Sequence, residues 1–116
     1  MKSFYHPLTV ISTMSVMLFT LSSPVIAAEW QGTGQIVKGS GHGGTVRLKL
    51  SKAGNTVMFH SGPDRGREVS LSSSNDVTTS SGYWQFASCG DNSEKLCVTL
   101  KQSQPQRVIR YLLTQL

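Results

Sequence analysis

The chain has 116 residues, with 11 basic and 6 acidic side chains and a formal charge of +5. Hydrophobic residues make up 38% and there are two cysteines. This length suits one domain and excludes a multidomain enzyme, while the positive balance favours anionic partners.

The first 28 residues read as a secretory signal peptide. Lys2 opens a weakly basic start, an apolar run from Leu8 to Leu21 follows, and Ser22-Ser23-Pro24 breaks it. Val25-Ile26-Ala27-Ala28 supplies the small residues that a signal peptidase accepts. The run is short for a membrane span, which needs about 20 apolar residues, and no Cys marks a lipid-anchor site. The expectation is a mature protein that begins at Ala28 or Glu29, with residues 29–116 forming a single domain in the periplasm or outside the cell. Losing Lys2 leaves ten basic against six acidic residues, a charge of +4.

Beyond Ala28 the apolar residues recur with a period of two rather than 3.6, as in strands with one buried face. Trp30, Gly32, Gly34 and Ile36 fall on one face of a first strand. Val46, Leu48 and Leu50 alternate with Arg47, Lys49 and Ser51 in a second, and Ala53-Gly54-Asn55 makes a tight hairpin into a third that buries Val57 and Phe59. Ser61 to Gly66 is a turn by composition, after which Val69 and Leu71 face inward. Val77 to Thr79 is a short, weak fifth strand. Trp84 and Phe86 then point inward with Tyr83 opposite, and Leu96, Val98 and Leu100 alternate with Cys97, Thr99 and Lys101. The last strand, Arg107 to Leu113, buries Ile109, Tyr111 and Leu113. That leaves Val108 and Leu112 outside with Arg110, so either a bulge flips the register or this face meets something apolar.

Cys89 and Cys97 form one disulfide in an oxidising compartment. Placed directly opposite each other, they set Ala87 against Thr99 and Gln85 against Lys101 on the outer side. Seven or eight short strands without a helix predict an all-β fold, a small up-and-down barrel or else a compact sandwich. The barrel is favoured, because the Gly-rich first strand and the long apolar last strand are suited to pair and close the sheet.

No catalytic constellation emerges. Gly39-Ser40-Gly41-His42-Gly43-Gly44 matches a dinucleotide fingerprint letter for letter, but it leads into a strand rather than a helix and reads as a hairpin loop. His60, Ser61 and Asp64 contain the elements of a hydrolase triad, yet neighbours on a strand end point to opposite faces. His42 and His60 lack a third metal donor. Asp91, Asn92 and Glu94 lack the spacing of a calcium loop. No cofactor or metal is expected. The more informative cluster is basic: Arg47 and Lys49 on one outer face, and Lys101, Arg107 and Arg110 on the outer faces of the last two strands. Tyr83 joins them as an exposed aromatic contact, whereas Trp30 and Trp84 are core.

Three segments resemble those of small exported β-rich proteins of unknown function from cyanobacteria and related bacteria. They are Trp30 to Gly34, Ser61 to Arg67, and Gly82 to Phe86 together with Leu96 to Leu100. The resemblance implies no activity. Periplasmic lysozyme inhibitors share the size, fold class and compartment, but their Cys placement does not map onto this chain.

The expected function is a non-enzymatic exported binding module whose basic outer face engages an anionic envelope polymer. The alternative is a secreted hydrolase inhibitor acting through Ser61 to Arg67 or Gly90 to Lys95. Export removes the protein from nucleic acid. Protein recovered from the medium or periplasm should begin at Ala28 or Glu29 on N-terminal sequencing; a chain still carrying Met1 would refute the export expectation.

Overall fold

The computed structural model describes residues 26–90 and 94–116; the signal-peptide expectation for residues 1–28 lies almost wholly outside them. The described chain forms eight strands and no helix: β1 (Ala28–Gly39), β2 (Thr45–Ala53), β3 (Thr56–Phe59), β4 (Glu68–Ser70), β5 (Asp76–Thr78), β6 (Gly82–Ser88), β7 (Lys95–Gln102) and β8 (Arg107–Gln115). They make one antiparallel sheet in the order β4-β3-β2-β1-β8-β7-β6-β5, a nearly closed barrel. Each strand pairs with its neighbours in sequence, except that β1 pairs with β8 and β4 does not pair with β5. The first and last strands therefore sit side by side, and the open seam falls between the two shortest strands.

The β1–β8 pair depends on glycine. A Cβ on Gly32 would lie 2.0 Å from the Leu112 carbonyl oxygen, and one on Gly34 would lie 2.4 Å from Cδ1 of Tyr111. Gly34 stands opposite Tyr111, whose ring covers the space that a side chain on β1 would fill. Between β2 and β3 the turn has two residues, with Gly54 at φ +60° in the first central position, which suits a right-twisted hairpin. The β7–β8 turn contains a cis Gln104–Pro105 bond.

Inside the barrel Trp30, Leu48, Leu50, Val57, Phe59, Trp84, Phe86, Leu96, Val98, Leu100, Ile109, Tyr111 and Leu113 are buried, as alternation predicts. Trp84 is central: its ring centroid lies 4.6 Å from that of Phe59, 6.1 Å from Tyr111 and 6.4 Å from Phe86. Burial pushes the Tyr111 hydroxyl up to about 12.

The seam is bridged by a residue that composition placed only in a turn. Asp64, in the β3–β4 connection, is 1% exposed. Its carboxylate accepts hydrogen bonds from Trp84 Nε1 at 2.7 Å, Thr79 Oγ1 at 2.7 Å and Ser81 Oγ at 3.0 Å. Arg67 adds its guanidinium at 3.5 Å. The donors come from β6 and the β5–β6 connection, on the far side of the seam. Together with the Phe59–Trp84 ring contact they join the two sheet ends where no ladder does.

Two expectations need correction here. The disulfide joins Cys89 and Cys97, with a Cα–Cα distance of 5.6 Å, but the register is shifted by two residues. Ala87 stands opposite Cys97, Gln85 opposite Thr99 and Tyr83 opposite Lys101. Cys89 lies just past the last paired residue, its N–H directed to the Lys95 carbonyl at 3.4 Å, so the bridge runs diagonally. A slip of two preserves which face each side chain takes, and period-two alternation is blind to it. The second correction concerns the outer apolar residues. A bulge does exist, but on β1: the register shifts between Ile36 and Lys38, and β8 keeps its alternation. Leu112 is 51% exposed and Val37 39%.

Replacing Asp64 with Ala strands the buried Trp84 donor and the part-buried Thr79 and Ser81 hydroxyls and should cost about 3–5 kcal/mol in urea denaturation. Asp64→Asn keeps an acceptor for Trp84 and Thr79 and should cost clearly less. A loss below about 1 kcal/mol for Asp64→Ala would show that the carboxylate does not hold the seam. For the bridge, Cys97→Ala should remove about 2–3 kcal/mol and lower the melting temperature by roughly 8–20 °C. Two freely alkylatable thiols in the native protein would contradict this.

Candidate functional site

Antiparallel pairing lines up the outward side chains of neighbouring strands in rows across the sheet. One row reads Tyr83, Lys101, Val108 and Lys38 across β6, β7, β8 and β1. The next reads Gln85, Thr99, Arg110, Gln35 and Thr45. A third carries Ala87, Cys97, Leu112, Thr33 and Arg47, and a fourth Lys95, Thr114, Gln31 and Lys49. Of the basic residues singled out above, Lys101 and Arg107 line one cleft and Arg47 and Lys49 another, while Arg110 stands exposed on β8 between them.

The first cleft, about 380 Å³, is lined by Lys38, Gly39, Lys101, Gln102, Gln106, Arg107 and Val108. Lys38 and Lys101 flank Val108 from the two adjoining strands, so their Cα atoms are about 10 Å apart at the usual strand spacing. Among the described residues none of Lys38, Lys101, Arg107 and Arg110 forms an ion pair. Lys101 Nζ lies 5.9 Å from the centroid of the Tyr83 ring.

Lys38 was missed because alternation from Trp30 through Ile36 assigns position 38 to the interior. The bulge reverses that assignment by adding one residue to β1, and Lys38 emerges outside, opposite Val108. A lysine in an otherwise inward series was the available signal.

Arg107 requires the opposite correction. The sequence reading places it on the outer face, but it shares the parity of Ile109 and Tyr111 and is half-buried at the barrel mouth. Its Nε donates to Oε1 of Gln102 at 2.7 Å, and Gln102 is itself buried. Gln102 Nε2 in turn donates to the Gln104 carbonyl at 3.2 Å. Two strand-end polar groups satisfy each other, which permits an arginine on an inward position.

Tyr83 is half-buried rather than freely presented, and its hydroxyl donates to Asp76 Oδ2 at 2.5 Å. Asp76 also accepts from Ser72, and these two hydrogen bonds hold its carboxyl below the ordinary range, Ser72 contributing most. The same bond to Asp76 raises the Tyr83 hydroxyl. What Tyr83 offers is therefore its ring, beneath Lys101.

The second cleft, about 400 Å³, holds Gln31, Gly32, Thr33, Arg47, Leu48, Lys49 and Ser61. It is less electropositive, since Lys49 lies 3.7 Å from Glu29. Other basic residues are likewise engaged within the fold: Lys52 with the Gly54 carbonyl, Lys95 with Thr114 and Arg67 with Asp64. The first cleft is where positive charge gathers without a counter-charge.

His60, Ser61 and Asp64 are directed to separate tasks. His60 Nε2 meets Ser51 Oγ at 2.6 Å, Ser61 Oγ accepts the Lys49 backbone N–H at 2.9 Å, and Asp64 faces the core. The Gly39–Gly44 segment is the β1–β2 hairpin loop, with Gly43 N–H on the Ile36 carbonyl. Comparison of the chain with family models, with curated proteins and with solved structures finds no match in any of the three.

Proposed function

We propose that this protein is an exported, non-enzymatic binding module that holds an anionic component of the cell envelope on the outer face of β1, β8 and β7. One observation carries this reading: Lys38, Lys101 and Arg110 gather at that face, with Arg107 half-buried at the adjoining barrel mouth, and none of the four has an acidic partner among the described residues. Cations left without counter-ions attract anionic surfaces over roughly a Debye length, about 10 Å at 0.1 M salt. The exposed Leu112 and Val37 on the same side add an apolar component to that contact. The disulfide is consistent with an oxidising compartment, which supports export.

The test removes charge without touching the core. Lys38, Lys101 and Arg110 are exposed, so replacing all three with Gln should cost under about 0.5 kcal/mol each. The triple variant should lose retention on an immobilised phosphate-bearing polyanion at low salt, while the unmodified protein elutes as salt approaches 1 M. Equal retention of variant and parent would return these residues to the role of a solvated surface.

A further inference from the structure

Diffuse positive charge and a built site make different demands on geometry, and the barrel mouth meets those of a built site. At the open end of β1, β8 and β7, Arg107 is not a free surface side chain. Its Nε–H is committed to Gln102 Oε1, and the Gln102 amide is oriented by its own bond to the Gln104 carbonyl. The guanidinium plane is therefore set by a buried residue, and the two Nη groups remain for other partners. Nη1 lies beside Gly41 in the hairpin loop, 3.8 Å from where a Cβ on that glycine would be. Lys38, turned outward by the bulge, and Lys101 stand on either side of Val108. All four polar side chains line the same cleft of about 380 Å³.

Building on the envelope-binding reading, we infer that this cleft is a phosphate-binding site. Arg107 presents a fork of donors to two phosphate oxygens, Lys38 and Lys101 neutralise the others as point charges, and Gln102 is the positioning residue that aims the fork. Three cations lining one cleft suit a phosphate, with its three or four oxygens. A free phosphate or phosphomonoester, with about −1.5 to −2 charge at pH 7, compensates more of that positive charge than a single carboxylate with two oxygens and one charge. The second cleft lacks this construction, because Lys49 is already opposed by Glu29.

The experiment is a titration of the isotope-labelled protein with inorganic phosphate at constant ionic strength, with acetate as the comparison anion. The Gly39, Lys101 and Val108 amides and the Arg107 Nε–H should shift together and saturate with phosphate, and acetate should bind more weakly. Gln102→Leu changes no charge, yet it should weaken phosphate binding about tenfold or more by releasing the guanidinium. Lys49→Gln, which removes a charge at the other cleft, should leave phosphate affinity unchanged. Glycerol phosphate and phosphatidylglycerol vesicles, run in parallel, distinguish a polymer or free phosphate from a lipid headgroup as the source.

Unsaturable shifts spread equally over Arg47 and Lys49 would overturn the proposal, as would equal affinity for acetate. So would an unchanged affinity in Gln102→Leu at an unchanged melting temperature. If that variant fails to fold, Arg107→Lys decides, since it keeps the charge and discards the fork: full affinity there would also overturn the site. A parent protein with no retention on the polyanion defeats the envelope-binding reading. Retention without saturable phosphate binding defeats the cleft alone.

Discussion

The barrel depends on one buried carboxylate. Asp64 is drawn out of a surface turn and into contact with Trp84, Thr79 and Ser81, which belong to the opposite edge of the sheet. Burying an ionised group is costly unless its oxygens are satisfied, and here each oxygen accepts from a nearby donor. The Trp84 indole imposes the complementary requirement, because its N–H needs an acceptor once its ring fills the core. The two demands meet at the seam where β4 and β5 fail to pair. Hydrogen bonds from side chains thus do what a ladder does everywhere else around the barrel.

That arrangement places the mouth of the barrel under a different constraint from its interior. The middle of each strand is filled with aliphatic and aromatic groups, but the ends of β7 and β8 carry Gln102 and Arg107 at inward positions. Near solvent such polar residues survive by bonding each other, and the result is a side chain with restricted orientation. The bulge on β1 adds Lys38 to the same place. A local irregularity in one strand and a polar pair in two others therefore produce a charged cleft without any loop insertion. Bulges often re-aim a side chain next to a functional surface, and the effect of this one is to concentrate charge rather than spread it.

The surface chemistry is selective about which cations remain available. Lys49, Lys52, Arg67 and Lys95 are each engaged by a carboxylate, a carbonyl or a hydroxyl of the protein. The exposed Lys49–Glu29 pair adds little to stability. The main consequence of these contacts is that Lys49 and Arg67 are opposed by acids, whereas Lys38, Lys101, Arg107 and Arg110 of the β1–β8–β7 region are not. Tyr83 contributes its ring there, its hydroxyl being held by Asp76.

Alternation along the chain was sufficient to determine the all-β class, the buried face of each long strand and the turn at Gly54, whereas the pairing of the first strand with the last was only the favoured way to close the sheet. The class, the faces and the turn follow from short-range rules, since successive side chains on a strand must alternate and one face must be apolar. The proximity of Cys89 and Cys97 was equally legible, but not the diagonal register, because a shift of two residues leaves every side chain on its original face. Lys38 and Arg107 exchanged their expected sides for reasons that need a partner strand: a bulge is defined only by what lies opposite, and an inward arginine is tolerable only if Gln102 is there to receive it. Asp64 is the clearest case. Its surroundings in sequence mark a turn and nothing more, and its role came into being only when tertiary structure brought a buried indole N–H, 20 residues away, within 2.7 Å of its carboxylate.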